Sequence, residues 1–374
     1  MDINHIHSAS LPVFCQIKYS KVQRGLSSNA SSFMSVSYTS VLWNKNKKRY
    51  DLAILICIVI FIATFTLLNL TLNPQVTFET NLIRSFGWLA ILLLHIILSI
   101  GPLARINPMF NIVLYNRRHL GVIMFFMGLI HGGFSTIQFH SLGDMNPIRS
   151  IFLSNLNYGS IAYFPFQTLG FFGLTVLALM AASSHDFWLK NLGFKTWKAL
   201  HMLVYLAYGA LILHIALGAL QNETSPVIFG ILIFGFITIA TLHLVSAFKE
   251  VKIDRELKSP DSFIPVCNVN EIFDNRAKIF TVSGERIAVF KYNGKLSAVN
   301  NVCRHQGGPL GEGKIIDGCI TCPWHGYQYL PGNGQSPPPF TEKVETYNLR
   351  LEGDLISIDP IPNEPGTPTE PIVI

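Results

Sequence analysis

Six stretches of this chain contain no Asp, Glu, Lys or Arg and are long enough to cross a bilayer: 52–72, 85–104, 119–143, 150–185, 199–222 and 224–248. Crossing the hydrocarbon core takes about 20 apolar residues in a helix. The fourth stretch exceeds one span; Asn155, Asn157, Tyr158 and Gly159 read as loop, which leaves a helix from about 162 to 183. The last two are separated by a tight turn near 223–226 and should form a helical hairpin. Charged residues make up 13% of the 374, against about 25% in soluble domains. Hydrophobic residues make up 49%. Neither a single water-soluble globule nor a disordered chain has this composition.

The basic residues set an orientation, because Lys and Arg collect on the cytoplasmic side of a membrane protein. Lys45, Lys47, Lys48 and Arg49 precede the first span, and Arg105, Arg117 and Arg118 follow the second. Lys190, Lys195 and Lys198 lie between the fourth and fifth, and Lys249, Lys252, Arg255 and Lys258 follow the last. With six spans all of these fall on one side, and both termini are expected to be cytoplasmic, as in a multi-pass protein of an inner (cytoplasmic) membrane. The net charge of +6 is spread between apolar runs, so it points to membrane lipid and not to nucleic acid. Residues 1–40 contain no long apolar run that a signal peptide would need, and their ten serines and single acidic residue, Asp2, resemble a transit peptide only weakly, so 1–50 are expected to form a flexible cytosolic tail.

Beyond residue 248 the pattern changes. A polar linker is expected over 249–262, then short β-strands with turns from 263 to 359, then a disordered tail rich in Pro and Glu over 360–374. Strands are expected at 281–282, 287–292, 296–300 and 355–358, with turns at Gly284, Asn293–Gly294 and Gly353–Asp354. Together these predict an all-α six-helix transmembrane bundle over 51–248 joined to a small all-β domain. No internal repeat is visible.

Within the β segment, Cys303-Arg304-His305 is followed after sixteen residues by Cys322-Pro323-Trp324-His325. Two thiolates and two imidazoles on tight loops can hold zinc or an iron–sulfur cluster. The flanking residues weigh against zinc: Gln306-Gly307-Gly308-Pro309-Leu310 follows the first pair and Gly326-Tyr327 the second, and 332–339 supplies a third loop that could lie over the site. Over 263–359 the sequence resembles the Rieske [2Fe–2S] ferredoxin family. The resemblance implies that Cys303 and Cys322 bind one iron and His305 and His325 the other. Rieske proteins of cytochrome bc complexes carry two further cysteines that form a disulfide between the loops; Gly308 and Trp324 stand there in this chain. In this it resembles the low-potential ferredoxin branch, which implies a potential near the lower end of a range of about −150 to +300 mV. Cys267 and Cys319 read as buried thiols.

Histidines at membrane depth are functional candidates, and the spans hold His95, His131, His201, His214 and His243, with His119, His140 and His185 near span ends. Imidazole is a neutral iron ligand that lipid tolerates, which favours axial ligation of heme over a proton relay. His201 and His214 are thirteen positions apart, about 20 Å along one helix; this does not return to the same helical face, so a bend or differing heme angles would be needed. The stretches 101–105, 117–131 and 197–214 resemble the ferric-reductase-like transmembrane family, most nearly its branch of heme-binding membrane subunits from bacterial periplasmic methionine-sulfoxide reductase systems. The resemblance implies that His131 and His214 hold one b-type heme toward the outer side and that His201 serves a second, inner one. Arg117 matches an arginine of that branch, and the partner of His201 stays open. His95, His119 and His243 match no family position, and interfacial polarity accounts for His140 and His185.

The expected function is membrane electron transfer, as an oxidoreductase or electron-transfer subunit: a cytosolic reductase of ferredoxin or flavin type would supply electrons to the [2Fe–2S] cluster, and heme b would deliver them to a periplasmic redox protein or to quinone. A quinol-oxidising cytochrome and an electron supplier to a separate oxygenase are the alternatives. A self-contained Rieske oxygenase needs a further two-histidine, one-carboxylate iron site, and no histidine follows His325. A non-redox transporter leaves the Cys/His motif without a role.

Overall fold

The structure is a computed structural model that describes residues 45–114, 116–185, 188, 191–192, 194–218, 226–258, 262–324 and 326–374. Two compact units are present, a helical one over 40–106 and 116–246 and one that contains 247–374. The expected tail therefore lies outside the described residues except for 45–50, which already form the start of the first helix.

In the helical unit, α1 (Lys45–Leu72) and α2 (Phe78–Ile106) are long apolar helices. Pro74 separates them, lacking the N–H that would continue α1. A polar latch joins them: Asn69 donates to the fully buried Asn81 (2.7 Å), and Asn81 donates to the Thr66 carbonyl (3.2 Å). Then come α3 (Arg117–His140), α4 (Pro147–Leu153), α5 (Phe166–Ala182), α6 (Phe194–Met202), α7 (Val204–Leu217) and α8 (Pro226–Ile253). The Asn146 side chain accepts the Ile148 amide (3.0 Å) and caps α4, with Pro147 at its first position. Helix α2 packs chiefly on α3, and α7 on α5.

Among the described residues, five helices are long and apolar enough to cross a membrane: Lys48–Leu72, Phe78–Ile106, Arg117–His140, Thr196–Leu217 and Val227–Ile253. The expected loop around 155–159 is present, and the helix of the fourth span begins about four residues later than expected. Residues 154–165 are not helical, and α5 starts at Phe166 behind Pro165, so only 17 residues are helical. These rise about 25 Å, at the short end of what crosses a hydrocarbon core of about 30 Å. The fifth span is interrupted at the single residue Leu203, between α6 and α7, whose backbone stays right-handed helical (φ −60°, ψ −13°). The expected turn at 223–226 lies outside the described residues except for Pro226, which opens α8.

Helix α8 runs to Ile253, so residues 249–253 of the expected linker are helix. Its end is tied to the β-domain: Arg286 pairs with Glu250 (2.7 Å) and Asp254 (2.6 Å), Thr281 donates to the Ile253 carbonyl (2.7 Å), and the strand β1 (Glu256–Leu257) pairs in parallel with residues Thr281 and Val282. These contacts satisfy polar groups that a free linker would leave to water, which is why the chain is ordered there.

The strands are β2 (Ile264–Asn268), β3 (Arg276–Val282), β4 (Glu285–Tyr292), β5 (Lys295–Asn300), β6 (Lys314–Ile316), β7 (Cys319–Thr321), β8 (Gln328–Tyr329), β9 (Thr346–Glu352), β10 (Leu355–Pro362) and β11 (Ile372–Val373). The main sheet runs β1-β3-β4-β5-β9-β10-β2 with β11 on β5, and β6-β7-β8 form a smaller sheet. Asn293 (φ 47°) and Gly294 (φ 68°) turn β4 into β5 in a two-residue hairpin, where both positions need left-handed backbone. Alternation along β4 feeds two cores: Ile287 and Val289 enter one, Ala288 and Phe290 the other. The second core also contains Cys303, Cys322, Tyr327 and Tyr329, so the sheet's packing extends directly under the Cys/His loops.

The expected disordered tail is a correction. Ile372 and Val373 pair antiparallel with Leu296 and Lys295, Thr369 Oγ1 bonds Thr346 Oγ1 (2.8 Å), and Asn363 donates to Thr346 (3.3 Å). Prolines reduce the chain entropy that ordering must overcome, and these side chains supply the partners that composition alone does not reveal.

Candidate redox site

The two Cys/His loops are one backbone design used twice. In the first, the Cys303 amide donates to the Gly308 carbonyl (2.9 Å) and the Gly307 amide to the Cys303 carbonyl (2.7 Å). In the second, the Cys322 amide donates to the Tyr327 carbonyl (2.8 Å) and the Gly326 amide to the Cys322 carbonyl (3.0 Å). Four residues beyond each cysteine a glycine takes positive φ, 67° at Gly307 and 71° at Gly326. The shared Cys-x-x-x-Gly was readable in the sequence, but only the backbone bonds show that it is a repeat.

Cys303 and Cys322 are buried and not bridged by a disulfide. Their side chains share a hydrogen bond, which lowers the Cys303 thiol to about 7. The Tyr329 hydroxyl (3.3 Å) and the His305 and Gln306 amides add to that shift, and burial opposes it. Burial and the nearby thiol push the Tyr329 hydroxyl up, so it keeps its proton and donates to sulfur. Its oxygen in turn accepts the Arg304 amide (3.0 Å). Half-buried His305 stacks on Tyr327, with ring centres 4.7 Å apart and planes at 9°. Tyr327 is held by a hydrogen bond to Glu342 and by Phe340, whose ring centre is 4.8 Å away. The residues just after the third loop, Phe340 and Glu342, thus pack on the tyrosine behind His305. A methyl at Gly308 would come within 2.8 Å of Cys322 Sγ, so the loops close without room for a larger side chain. His325 lies outside the described residues. Two buried thiols with amide and hydroxyl donors aimed at sulfur, beside a stacked imidazole, make a donor set suited to an anionic iron–sulfur cluster.

In the helical unit, His131 on α3 and His214 on α7 come together, with ring centres 6.2 Å apart. Each anchors one ring nitrogen, His131 Nδ1 to the Ile83 carbonyl (2.9 Å) and His214 Nδ1 to the Phe166 carbonyl (2.9 Å), which leaves Nε2 with the lone pair. A metal–imidazole bond is about 2 Å. Two imidazoles with free Nε2 atoms and ring centres 6.2 Å apart would be close enough to hold one metal between them. His201 on α6 stands apart from them. Its Nδ1 donates to the Trp197 carbonyl (3.0 Å), Trp197 stacks on it at 3.9 Å, and its buried Nε2 has no hydrogen-bond partner among the described residues. A buried lone pair without a donor is costly, and a metal would satisfy it. The charges of Arg118 and Arg117 act on His201, and Arg117 Nη1 lies beside Gly101, 3.2 Å from where a methyl would stand.

The histidines that matched no family position have partners. His95 Nε2 meets Tyr208 Oη (3.1 Å), His243 Nε2 meets Tyr205 Oη (3.0 Å), and His119 Nδ1 meets Asp51 (3.2 Å). Buried His140 bonds Ser150 (2.9 Å). Sequence reading missed Tyr205 and Tyr208 as histidine partners and Tyr329 as a sulfur partner; no spacing signal ties residues this far apart.

Family models match in two places, a Rieske [2Fe–2S] domain over residues 262–348 and a ferric reductase like transmembrane component over 86–212. The chain is 30% identical to the ferredoxin component of the alkene monooxygenase system of Xanthobacter autotrophicus, over 27% of this chain and 86% of that protein. It is 31% identical to the protein-methionine-sulfoxide reductase heme-binding subunit MsrQ of Herminiimonas arsenicoxydans, over 50% of this chain and 78% of that protein. Among solved structures, the ferredoxin of carbazole 1,9a-dioxygenase from Nocardioides aromaticivorans aligns over 27% of this chain and all of its own, at 21% identity and a TM-score of 0.26. The chain is a multi-pass membrane protein that belongs to the ferric-reductase-like transmembrane family through its helices and to the Rieske [2Fe–2S] family through its C-terminal domain.

Proposed function

We propose that the protein takes electrons from a cytosolic donor at its C-terminal domain and passes them through its helices to an acceptor at the outer face or to quinone in the membrane. The observation that carries this reading is the coexistence on one chain of the thiol loops with the paired imidazoles of His131 and His214, 6.2 Å apart. The cluster and heme iron, when bound, each supply one-electron chemistry. Cys303 and Cys322 would hold one iron of the cluster and His305 and His325 the other. His131 and His214 would hold heme b, and His201, with Arg117 near it, a second, inner heme.

The chain's own contribution is placement and tuning. Tyr329 and the His305 and Gln306 amides direct hydrogen bonds at Cys303 sulfur, and Tyr327 fixes the plane of His305. The Ile83, Phe166 and Trp197 carbonyls fix which nitrogen of each membrane histidine is free. In this reading α5 also crosses the bilayer, which gives six spans in an inner (cytoplasmic) membrane with both termini cytoplasmic. The basic residues at 45–49, 105, 117–118 and 249–258 support that orientation.

Iron and heme quantification on the purified full chain, with a potentiometric titration, tests the proposal. Split b-type bands with a broad Rieske shoulder, and a cluster more reducing than the heme, are expected. A colourless protein containing zinc would refute it. A cluster well above the heme in potential would reverse the direction and make quinol the donor.

A further inference from the structure

His131 and His214 are held in the same way, and differently from the other three histidines within the spans. His95, His201 and His243 each bond Nδ1 to the carbonyl four residues back on their own helix: Ile91 (2.7 Å), Trp197 (3.0 Å) and Ile239 (2.9 Å). His131 and His214 reach instead to a carbonyl 48 residues earlier, on a neighbouring helix. Four positions after that carbonyl, in both cases, stands a glycine against which the ring lies. A methyl at Gly87 would sit 2.8 Å from His131 Nδ1, and one at Gly170 would sit 2.8 Å from His214 Nδ1 and Cε1. Ile83, Gly87 and His131 on α2 and α3 are thus repeated as Phe166, Gly170 and His214 on α5 and α7.

We propose that Ile83–Gly87 and Phe166–Gly170 are paired clamps that position and tune the two axial imidazoles, and that Gly87 and Gly170 are positioning residues for heme binding. The inference rests on the reading of His131 and His214 as heme ligands. A side chain at either glycine would occupy the ring's place, since contacts below 3 Å force one partner to move. The ring would then leave its carbonyl and lose the N–H···O=C bond. That bond makes the imidazole a stronger electron donor, which favours the oxidised metal. The clamp therefore does two things, fixing each ring's direction and holding the potential down.

The test compares Gly87→Ala and Gly170→Ala with Gly121→Ala and Gly209→Ala, two helical glycines with open space around the added carbon. Heme per protein, the low-spin electron paramagnetic resonance signal and the midpoint potential are read on the full chain in detergent. Expected are at least a twofold loss of the original low-spin signal and an upward potential shift in the first pair, with neither in the second. Equal behaviour of all four variants would overturn the clamp. If His131→Ala and His214→Ala both keep full heme, the ligand reading itself fails, an outcome distinct from the glycine result. Where a glycine variant gives no monodisperse protein, resonance Raman of the unaltered chain in H2O and D2O reads the bonds directly. Hydrogen-bonded Nδ1–H on both ligands is expected, and a free imidazole would overturn the proposal.

Discussion

His131 on α3 and His214 on α7 stand with ring centres 6.2 Å apart and ring planes at 79°, each pinned through Nδ1 to a carbonyl of a neighbouring helix. His131→Ala and His214→Ala should each remove one heme, read as pyridine hemochrome per protein, while the iron–sulfur signal persists. His95→Gln and His243→Gln should leave heme content unchanged, because Tyr208 and Tyr205 already engage their Nε2 atoms.

Tyr329 donates to Cys303 sulfur from a fully buried position. Hydrogen bonds to cluster sulfur stabilise the reduced state, so Tyr329→Phe should lower the cluster's potential and leave its iron content intact. The substitution also leaves the Arg304 amide without its acceptor, a cost of about 1–3 kcal/mol. Protein-film voltammetry and thermal unfolding measure the two effects. Cys303→Ser, by contrast, should abolish the cluster and spare the heme bands.

Burial raises the Cys267 thiol from 9.0 to about 11. The folded domain keeps this proton while the unfolded chain loses it near the ordinary value. The contribution to stability is thus complete below pH 9 and declines as the pH climbs from about 9 to 11. Chemical denaturation of the full chain across that interval should show a falling midpoint, and Cys267→Ala should flatten part of the fall. A midpoint that does not respond to pH in either protein would contradict this.

Asn81 is fully buried between α1 and α2 with both side-chain atoms engaged. Polar bonds between membrane helices contribute about 0.6 to 1.7 kcal/mol, so Asn81→Ala should destabilise the helical unit by roughly that amount. Unfolding in mixed detergent measures it. Asn69→Ala should be partly redundant with it when the two are combined.

Removal of residues 363–374 takes away β11, the Thr346–Thr369 bond and the Asn363 contacts. The β-domain should lose about 1–3 kcal/mol, seen as an earlier cluster bleach on heating. Unchanged bleaching would mean that the tail adds no stability.

Apolar runs, basic flanks and the Cys/His motif were legible in the sequence because each is a local property. Hydropathy is a sum over neighbours, a turn needs only Asn293-Gly294, and the two cysteine loops close within six residues each. The extent of α5 was less legible: Pro165 halts the helix, but a charge-free run gives no sign of it. The ordered tail was hidden for a related reason. Its partners, Leu296, Lys295 and Thr346, are far away in sequence.

The sequence by itself determined that helices must lie in lipid and that two thiols and two imidazoles recur at cluster spacing. Tertiary structure alone decided which histidines are available to a metal. His95, His119 and His243 are the same residue type in the same kind of helix as His131 and His214. What separates them is what meets each ring: a tyrosine hydroxyl at Nε2 of His95 and His243, a carboxylate at Nδ1 of His119, and for His131 and His214 a carbonyl of a neighbouring helix at Nδ1, which leaves Nε2 its lone pair. That choice depends on helix packing across 38 or more residues, and no pattern confined to one helix can encode it.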